Sequence, residues 1–342
     1  MKKRLKFGLA LIVGFLIFYA VLSQTGVEPL ERSLRLFLSP YGLVVIGLTV
    51  LAWLIGVFRW KVILGCQGEK RRFADLTAVW TVGFTIDYLT PVSMFGGEAL
   101  RVYLTGKTLD IDWDKSFSSV IIDKILDGTF HVIFITVGVL TFLSFGNFPE
   151  LWILWLVAAV IFFLFSVLAL FYSRAIGKKS ILLLIFSFFG LKKTEIKATK
   201  KGEFIFNTEG NVLRFFSPSE SFFWKGVMLS FLRHSLFYMR AFFLVYFLTQ
   251  SWEPFRSLAM QGLAYLALFL PLPAGLGGLE AISGFGMEVM GMGADRGVAF
   301  GMTWRAAELV ICILGVIFAL KIGLELFKLK TFDFIDRVKG SD

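Results

Sequence analysis

The stretch Asp87–Arg101 reads DYLTPVSMFGGEALR and interrupts an apolar region of the chain. Its proline and its glycine pair break helices, and it also carries two acids and an arginine. Lipid tolerates such a break only where protein or a water-filled cavity covers the backbone. A second stretch, Pro271–Glu280, reads PLPAGLGGLE and has the same ingredients. We therefore predict two buried bends that face each other and line one site, with bend residues Pro91, Gly96, Gly97, Pro271, Pro273, Gly275, Gly277 and Gly278.

The composition around these bends is that of a membrane protein. The 342 residues are 57% hydrophobic and 17% aromatic, whereas a soluble domain is about 45–50% apolar. We predict an all-α polytopic integral membrane protein in which residues 1–342 form a single transmembrane domain. The formal net charge of +10 fits basic cytoplasmic loops and attraction to anionic lipid better than nucleic-acid binding.

The cysteines and histidines do not have the sequence spacing of a known cofactor or metal motif. Cys66 and Cys312 suggest neither a disulfide framework nor a zinc site, and His131 and His234 have no metal-motif spacing. A phosphate-binding P-loop motif is also missing from the sequence. We expect no cofactor, no metal and no catalytic residue.

A membrane-spanning helix needs about 20 mainly apolar residues. On that basis we predict about six full spans and two re-entrant hairpins. The hairpins cover 73–109 and 254–290, and the spans lie near 7–22, 41–64, 116–142, 151–172, 222–249 and 298–320. We interpret 7–22 as a retained span instead of a signal peptide, because its apolar run is long and no A-x-A site follows.

Loops rich in lysine and arginine alternate along the chain with loops that contain few of them. This alternation predicts the orientation of the chain in the membrane. Both residue types are concentrated in the N-terminus, 59–72, the segment 173–221 and the C-terminal tail, and are sparse in the other loops. The positive-inside rule then places both termini in the cytoplasm of a cell-membrane protein. Within 173–221, residues 181–191 are interpreted as an interfacial helix or hairpin. The basic segment is either a solvated linker or a surface that binds anionic lipid.

This alternation has a consequence for the two hairpins. It requires the first hairpin to enter from the cytoplasm and the second to enter from outside. The region 41–142 then recurs with inverted topology as 222–320. In transporters, such repeats place the substrate site near the bilayer midplane, at the broken helices.

Ionisable residues inside spans are costly and are usually paired or functional. Asp123, Asp127 and His131 form one stripe with a spacing of four. Either the acids and arginines pair to hold the bundle together, or some arginines receive a lipid phosphate, which guanidinium matches bidentately. Our first candidates for phosphate are Arg101 and Arg305. The full predicted substrate-binding set is Glu98, Arg101, Asp123, Asp127, Arg233, Arg240, Glu280 and Arg305, whose acids could hold the arginines or bind a cationic headgroup.

Both bends resemble the signatures of a known family. The pattern P-x-x-x-x-G-G-E-x-x-R from Pro91 to Arg101 resembles the first signature of the flippase-like family, the transmembrane region of lysylphosphatidylglycerol synthases. The stretch Pro271–Glu280 is similar to the second signature, P-x-P-G-G-L-G-x-x-E. The acid and base pattern Asp123, Lys124, Asp127 is also similar, and the resemblance covers about residues 5–325.

The chain departs from the family pattern in three ways. Asp87 stands where the family has asparagine, which could change the preference for headgroup charge. Ala274 stands where the family has glycine, a mild change. We also expect the chain to lack the C-terminal domain that makes aminoacyl-lipid. The resemblance therefore implies translocation without synthesis.

The leading function hypothesis is a lipid transporter that moves a phosphate-containing headgroup between leaflets. The expected partners are membrane lipids: an anionic or aminoacylated phospholipid, or a polyprenyl-linked lipid. A homo-oligomer is possible and nucleic acid is not expected. One alternative is an intramembrane transferase for lipid-linked sugar, with Glu98 and Glu280 as general acid and base. Another is a scaffold that docks a synthase through 173–221.

Overall fold

The structure is a computed structural model that describes residues 27–89, 96–145, 151–180, 200–268 and 276–339, with six single positions elsewhere. Within these ranges the chain forms helices and no strand. The helices are α1 (Glu28–Phe37), α2 (Pro40–Cys66), α3 (Phe73–Leu89), α4 (Gly96–Thr108), α5 (Trp113–Leu143), α6 (Leu151–Ile176), α7 (Lys200–Phe215), α8 (Ser221–Thr249), α9 (Pro254–Ala267), α10 (Gly278–Val289) and α11 (Ala294–Lys339).

Several predicted features lie outside the described residues. The first span, 7–22, is described at only three positions, and the predicted interfacial segment 181–191 is not described. The same holds for the bend residues Pro91, Pro271, Pro273 and Gly275 and for both chain termini.

Within the described residues, four helices are long and apolar enough to cross a membrane: Pro40–Cys66, Trp113–Leu143, Ala158–Ile176 and Ala294–Gly323. Each overlaps a predicted span, and the prediction of an all-α membrane protein is confirmed. The α8 helix has 29 residues and would reach about 44 Å, but Arg233, His234 and Arg240 lower its hydropathy. The total of about six spans stays a prediction.

Two helical hairpins, α3–α4 and α9–α10, stand where the sequence predicted re-entrant segments. Their helices have 17, 13, 14 and 12 residues, or about 18–26 Å, which is less than the hydrocarbon core of about 30 Å. The Nε atom of Arg71, just before α3, donates to the Leu109 carbonyl oxygen after α4 at 2.9 Å. The first hairpin therefore enters and returns at the same end of the bundle.

Glycine allows the hairpin helices to approach closely. A Cβ atom at Gly97 would overlap the carbonyl oxygen of Gly83 on α3, and Gly277 begins α10 with φ +76°. A Cβ atom at Gly286 on α10 would overlap Leu263 on α9. The predicted bend glycines Gly96, Gly97, Gly277 and Gly278 thus mark the N-termini of α4 and α10.

The helices α2 and α8 pack side by side and antiparallel. Tyr41 stacks on Phe247 with ring centroids 4.4 Å apart, and at the other end the Gly65 Cβ position lies 3.5 Å from Phe222. Around this pair, α5 crosses α9 and α11 crosses α3. The long helices α5 and α11 therefore each pack on the hairpin of the other half. This reciprocal packing supports the predicted inverted repeat of 41–142 and 222–320, which stays a prediction.

The two hairpins enter from opposite ends of the bundle. The end with Arg71 also holds the start of α5, where Lys115 Nζ lies 2.8 Å from Glu69 Oε1. The other end holds α1 and the start of α11, joined by Arg32 and Asp295 at 2.7 Å. Which end faces the cytoplasm stays a prediction from the lysine and arginine distribution.

Candidate functional site

Arg59 is the centre of a buried ion network between α2, α5 and α8. Its Nε and Nη2 atoms both lie 2.8 Å from Asp123 Oδ1. Its Nη1 atom lies 3.0 Å from Asp127 Oδ1 and 3.0 Å from Ser230 Oγ. The distribution of lysine and arginine along the sequence assigned Arg59 to the basic loop segment 59–72. That assignment was wrong, because the side chain is 1% exposed and lies two turns inside the helix.

Arg101 extends the network from the first hairpin. Its Nη1 atom lies 2.8 Å from Asp123 Oδ2. Its guanidinium carbon sits 4.3 Å above the Trp60 ring and 5.8 Å from the Trp80 ring. The side chain is 6% exposed, yet within the described part of the chain its Nε and Nη2 atoms have no hydrogen-bond partner. Arg101 thus uses Nη1 to bind Asp123, while Nε and Nη2 could donate hydrogen bonds to another group.

Arg233 extends the network from α8. It pairs with Asp127, and its guanidinium carbon lies 5.7 Å from the Trp80 ring and 5.1 Å from the Phe237 ring. Among the residues that the structure describes, its Nε atom has no hydrogen-bond partner, and neither has the indole Nε1 of Trp80. Gly56 makes room here, since a Cβ atom would meet Trp80 at 2.9 Å and Arg233 Nε at 3.3 Å.

Arg101, Arg233 and Trp80 therefore form a buried cluster rich in hydrogen-bond donors, which we call the arginine–tryptophan pocket. The three guanidinium groups of the network face two carboxylates, which leaves an excess of one positive charge. Four predicted site residues meet here: Arg101, Asp123, Asp127 and Arg233. This combination of excess charge and unpaired N–H donors is suited to an oxyanion.

A pair of histidines adjoins Asp127. His234 Nε2 lies 3.4 Å from His131 Nδ1 and 3.9 Å from Asp127 Oδ1. Together the ligand-type atoms of Asp127, His131 and His234 lie within 4.8 Å of one another, as in a metal site. However, Asp127 already pairs with Arg59 and Arg233, whose charges oppose a divalent cation. We therefore assign these residues no metal.

The second half carries its own ion pairs. Arg240 Nη1 lies 2.7 Å from Glu308 Oε1 and 2.9 Å from Thr49 Oγ1, and its guanidinium carbon sits 3.7 Å above the Trp304 ring. Arg305, predicted as a phosphate ligand, pairs with Glu280. The second carboxylate oxygen of Glu280 finds no hydrogen-bond partner in the described ranges, although its side chain is fully buried.

Lys124 joins the first hairpin to α5. It pairs with Glu98 and lies 3.4 Å from Asp87 Oδ2. The other oxygen of Asp87 accepts a 2.7 Å bond from the Gly97 N–H group at the start of α4. Two carboxylates thus face one ammonium group, so this cluster has an excess of one negative charge. The prediction included Glu98 but missed Lys124.

The ion pairs of the two halves correspond. Lys124 with Glu98 joins α5 to α4, just as Arg305 with Glu280 joins α11 to α10. Arg59 with Asp127 joins α2 to α5, as Arg240 with Glu308 joins α8 to α11. The sequence contains a signal for this, which was missed: K-x-x-D at 124–127 and R-x-x-E at 305–308 each follow a glycine pair and an acid.

Comparison with known proteins agrees with this architecture. The chain is 27% identical over 162 residues to the UPF0104 membrane protein of Methanocaldococcus jannaschii, covering 47% of this chain and 46% of that protein. It is 28% identical over 156 residues to a UPF0104 membrane protein of Methanothermobacter thermautotrophicus, covering 46% and 45%. The matches thus span about half of each relative, and no solved structure matches the chain.

The family model described as "Lysylphosphatidylglycerol synthase TM region" matches residues 7–315, which includes both hairpins and every ion pair described above. The chain belongs to the lysylphosphatidylglycerol synthase transmembrane-region family.

Proposed function

We propose that the chain is a transporter that moves a lipid with a phosphate-containing headgroup between membrane leaflets. The observation that carries the proposal is the arginine–tryptophan pocket, with its excess positive charge and its unpaired N–H donors. A buried donor without a partner costs about 1–3 kcal/mol. A phosphate would satisfy several such donors at once and would neutralise the excess charge.

The network can release Arg101 and Arg233 to a ligand without leaving an acid unpaired. Arg59 contacts both Asp123 and Asp127. Each aspartate therefore keeps one guanidinium partner when the other turns away. An arginine that is not needed to neutralise its aspartate is available for substrate.

In the proposed mechanism, the two hairpins form the path of the headgroup. They enter from opposite ends, and their glycine-marked helix N-termini point positive dipole ends into the bundle, where an anion is favoured. In this proposal the headgroup passes between the hairpins while the acyl chains stay in lipid. The negative cluster of Asp87, Glu98 and Lys124 would accept an amine on the same headgroup, which favours zwitterionic or aminoacylated lipids within the phosphate class.

The pairings of the two glutamates favour transport over the transferase alternative. A general acid or base must reach the proton that it transfers. Glu98 pairs with Lys124, while Glu280 is fully buried and binds both Arg305 and the Gly277 N–H group. We therefore propose a role without bond cleavage, so the mass of the lipid should not change.

The test is leaflet transport of a fluorescent phosphatidylglycerol by purified protein in liposomes. Arg101→Gln and Arg233→Gln each remove one charge while Arg59 still holds the neighbouring aspartate. Loss of a hydrogen bond to a charged group costs about 1.5–3 kcal/mol, so each variant should slow transport by about 10- to 150-fold. Arg35→Gln is the matched control, because its side chain is 84% exposed and lies outside the network.

A fluorescent diacylglycerol, which lacks phosphate, should cross at the rate of empty liposomes. Mass spectrometry of the recovered phosphatidylglycerol should show an unchanged lipid. Wild-type rates in both glutamine variants would refute the phosphate pocket. A lipid product of different mass would instead establish the transferase alternative.

A further inference from the structure

We propose that His131 and His234 together form one proton-binding site that couples proton movement to the binding of the headgroup. This inference rests on the proposed transport function and adds an energy source to it. The two residues are the only histidines in the sequence. They meet in the bundle although they are 103 positions apart.

Hydrogen bonds to the helix backbone set the proton positions of the neutral pair. His131 Nδ1 lies 2.9 Å from the Asp127 carbonyl oxygen, and His234 Nδ1 lies 2.9 Å from the Ser230 carbonyl oxygen. A carbonyl accepts, so both Nδ1 atoms carry hydrogen. His234 Nε2 then has a free lone pair, and the nearest donor is His131 Nδ1 at 3.4 Å.

The two histidines also differ in how exposed their side chains are. The side chain of His131 is 21% exposed, whereas that of His234 is fully buried. A proton can therefore bind His131 at Nε2, and the resulting cation shares its Nδ1 hydrogen between the Asp127 carbonyl oxygen and His234 Nε2. One proton is gained, and its positive charge is shared with the inner histidine.

The charged groups around the pair decide what this proton does. Asp127 and Lys124 lie on the same helix as His131, and Arg233 lies beside His234 on α8. Arg59 approaches from α2 and the Tyr265 ring from α9, with its centroid 4.3 Å from that of His131. Asp123 and Arg101 complete the network behind Asp127. Asp127 is the nearest carboxylate, at 3.9 Å from His234 Nε2.

Protonation of the histidine pair therefore places a third positive charge next to the Asp127 carboxylate, besides those of Arg59 and Arg233. Arg233 is the partner that can leave, because its Nε atom already borders the arginine–tryptophan pocket. Once released, it can turn its charge toward a phosphate. The proton and the phosphate should thus bind together, and the lipid should move with the proton.

The test of the site itself does not require transport. Protein labelled with ¹⁵N-histidine and carrying a tag without histidine is placed in lipid nanodiscs and titrated from about pH 4 to about pH 9, which brackets the ordinary histidine pKa. We expect one proton per chain, with both rings changing at a common midpoint. In His131→Gln, the signal of His234 should no longer titrate in this range.

Independent titration of the two rings, or a His234 titration that is unchanged in His131→Gln, would overturn the proposal. So would the absence of proton uptake by either ring. These outcomes do not depend on lipid transport. A coupled titration without transport would therefore retain the proton site and refute the proposed function.

The second arm measures coupling in liposomes with a gradient of one pH unit. Because one unit is a tenfold difference in proton activity, one proton per lipid would enrich phosphatidylglycerol up to about tenfold in the leaflet toward which protons flow. His131→Gln and His234→Gln should abolish the enrichment, while Tyr172→Phe on α6, outside the network, should retain it. Equal distribution by the wild type, or full enrichment by the histidine variants, would contradict coupling.

Discussion

Buried charge is the distinctive feature of this chain at the scale of single residues. The spacing of Asp123, Asp127 and His131 predicted a polar stripe, and the structure places all three in one network. Two of its partners, Arg101 and Arg233, belong to the arginines that the sequence offered as partners of the acids. The third partner, Arg59, was not predictable, because sequence spacing relates residues only along one helix. Arg59 lies at least 64 positions from its two aspartates, and only the packing of α2 on α5 brings them together.

Among the arginines of the buried network, Arg59 should contribute most to the free energy of unfolding. Removing one member of a buried ion pair typically costs about 3–5 kcal/mol, and Arg59→Ala would leave both aspartates short of a partner. We expect a clear loss of stability in urea unfolding followed by tryptophan fluorescence. Arg101→Ala, which leaves Arg59 on Asp123, should cost less; an equal or larger loss for Arg101→Ala would contradict this ranking.

Asp87 should tune the preference for headgroup charge. Its Oδ1 atom accepts from the Gly97 N–H group, and an asparagine could keep that bond while removing one negative charge. Asp87→Asn should therefore fold normally and transport phosphatidylglycerol as well as the wild type, but move a lysylated phosphatidylglycerol more slowly. A competition assay with the two lipids measures the ratio, and an unchanged ratio would show that the Asp87 charge does not contact the headgroup.

At the scale of helices, glycine determines how the two halves cross. A Cβ atom at Gly138 on α5 would lie 2.6 Å from the Gly262 Cα atom on α9. At the corresponding crossing, Gly315 on α11 packs on α3, where a Cβ atom would lie 2.9 Å from the Thr81 carbonyl oxygen. The bend glycines are recognisable in the sequence, because they stand beside proline and an acid. Gly138 and Gly315 are not, since a glycine within an apolar helix gives no sign of which helix crosses it.

Gly138→Ala and Gly315→Ala should both weaken the bundle. Overpacking costs about 1–3 kcal/mol, because each crossing must open to admit a methyl group. Thermal unfolding in detergent measures the loss. Gly47→Ala is the matched control, since it lies in α2 with nothing within 4 Å of its Cβ position; a similar loss in the control would mean that the crossings are not tightly packed.

At the scale of the whole molecule, the two hairpins divide the bundle into two ends. Hydropathy predicted the helical segments, and the lysine and arginine distribution predicted opposite entry for the hairpins, which the structure also has. Neither signal could predict that α5 and α11 each pack on the hairpin of the other half. That arrangement depends on shape at the crossings, which an apolar sequence does not record.

The end that holds residue 70 and the end that holds residue 251 should lie on opposite sides of the membrane. Both positions are exposed, and the antiparallel pairing of α2 and α8 separates them. In a background without Cys66 and Cys312, Lys70→Cys should react with a membrane-impermeant maleimide only in inside-out vesicles. Ser251→Cys should react only in right-side-out vesicles. Labelling of both positions from the same side would exclude the inverted topology.

The proposed mechanism requires that a phosphate-bearing lipid binds through Arg101 and Arg233. Native mass spectrometry of the detergent-solubilised protein, released from membranes with its lipids, measures this binding. We predict that the wild type retains one phospholipid per chain and that the Arg101→Gln, Arg233→Gln double variant loses it while Arg35→Gln keeps it. Equal retention by the double variant, or equal retention of a lipid without phosphate, would contradict the pocket.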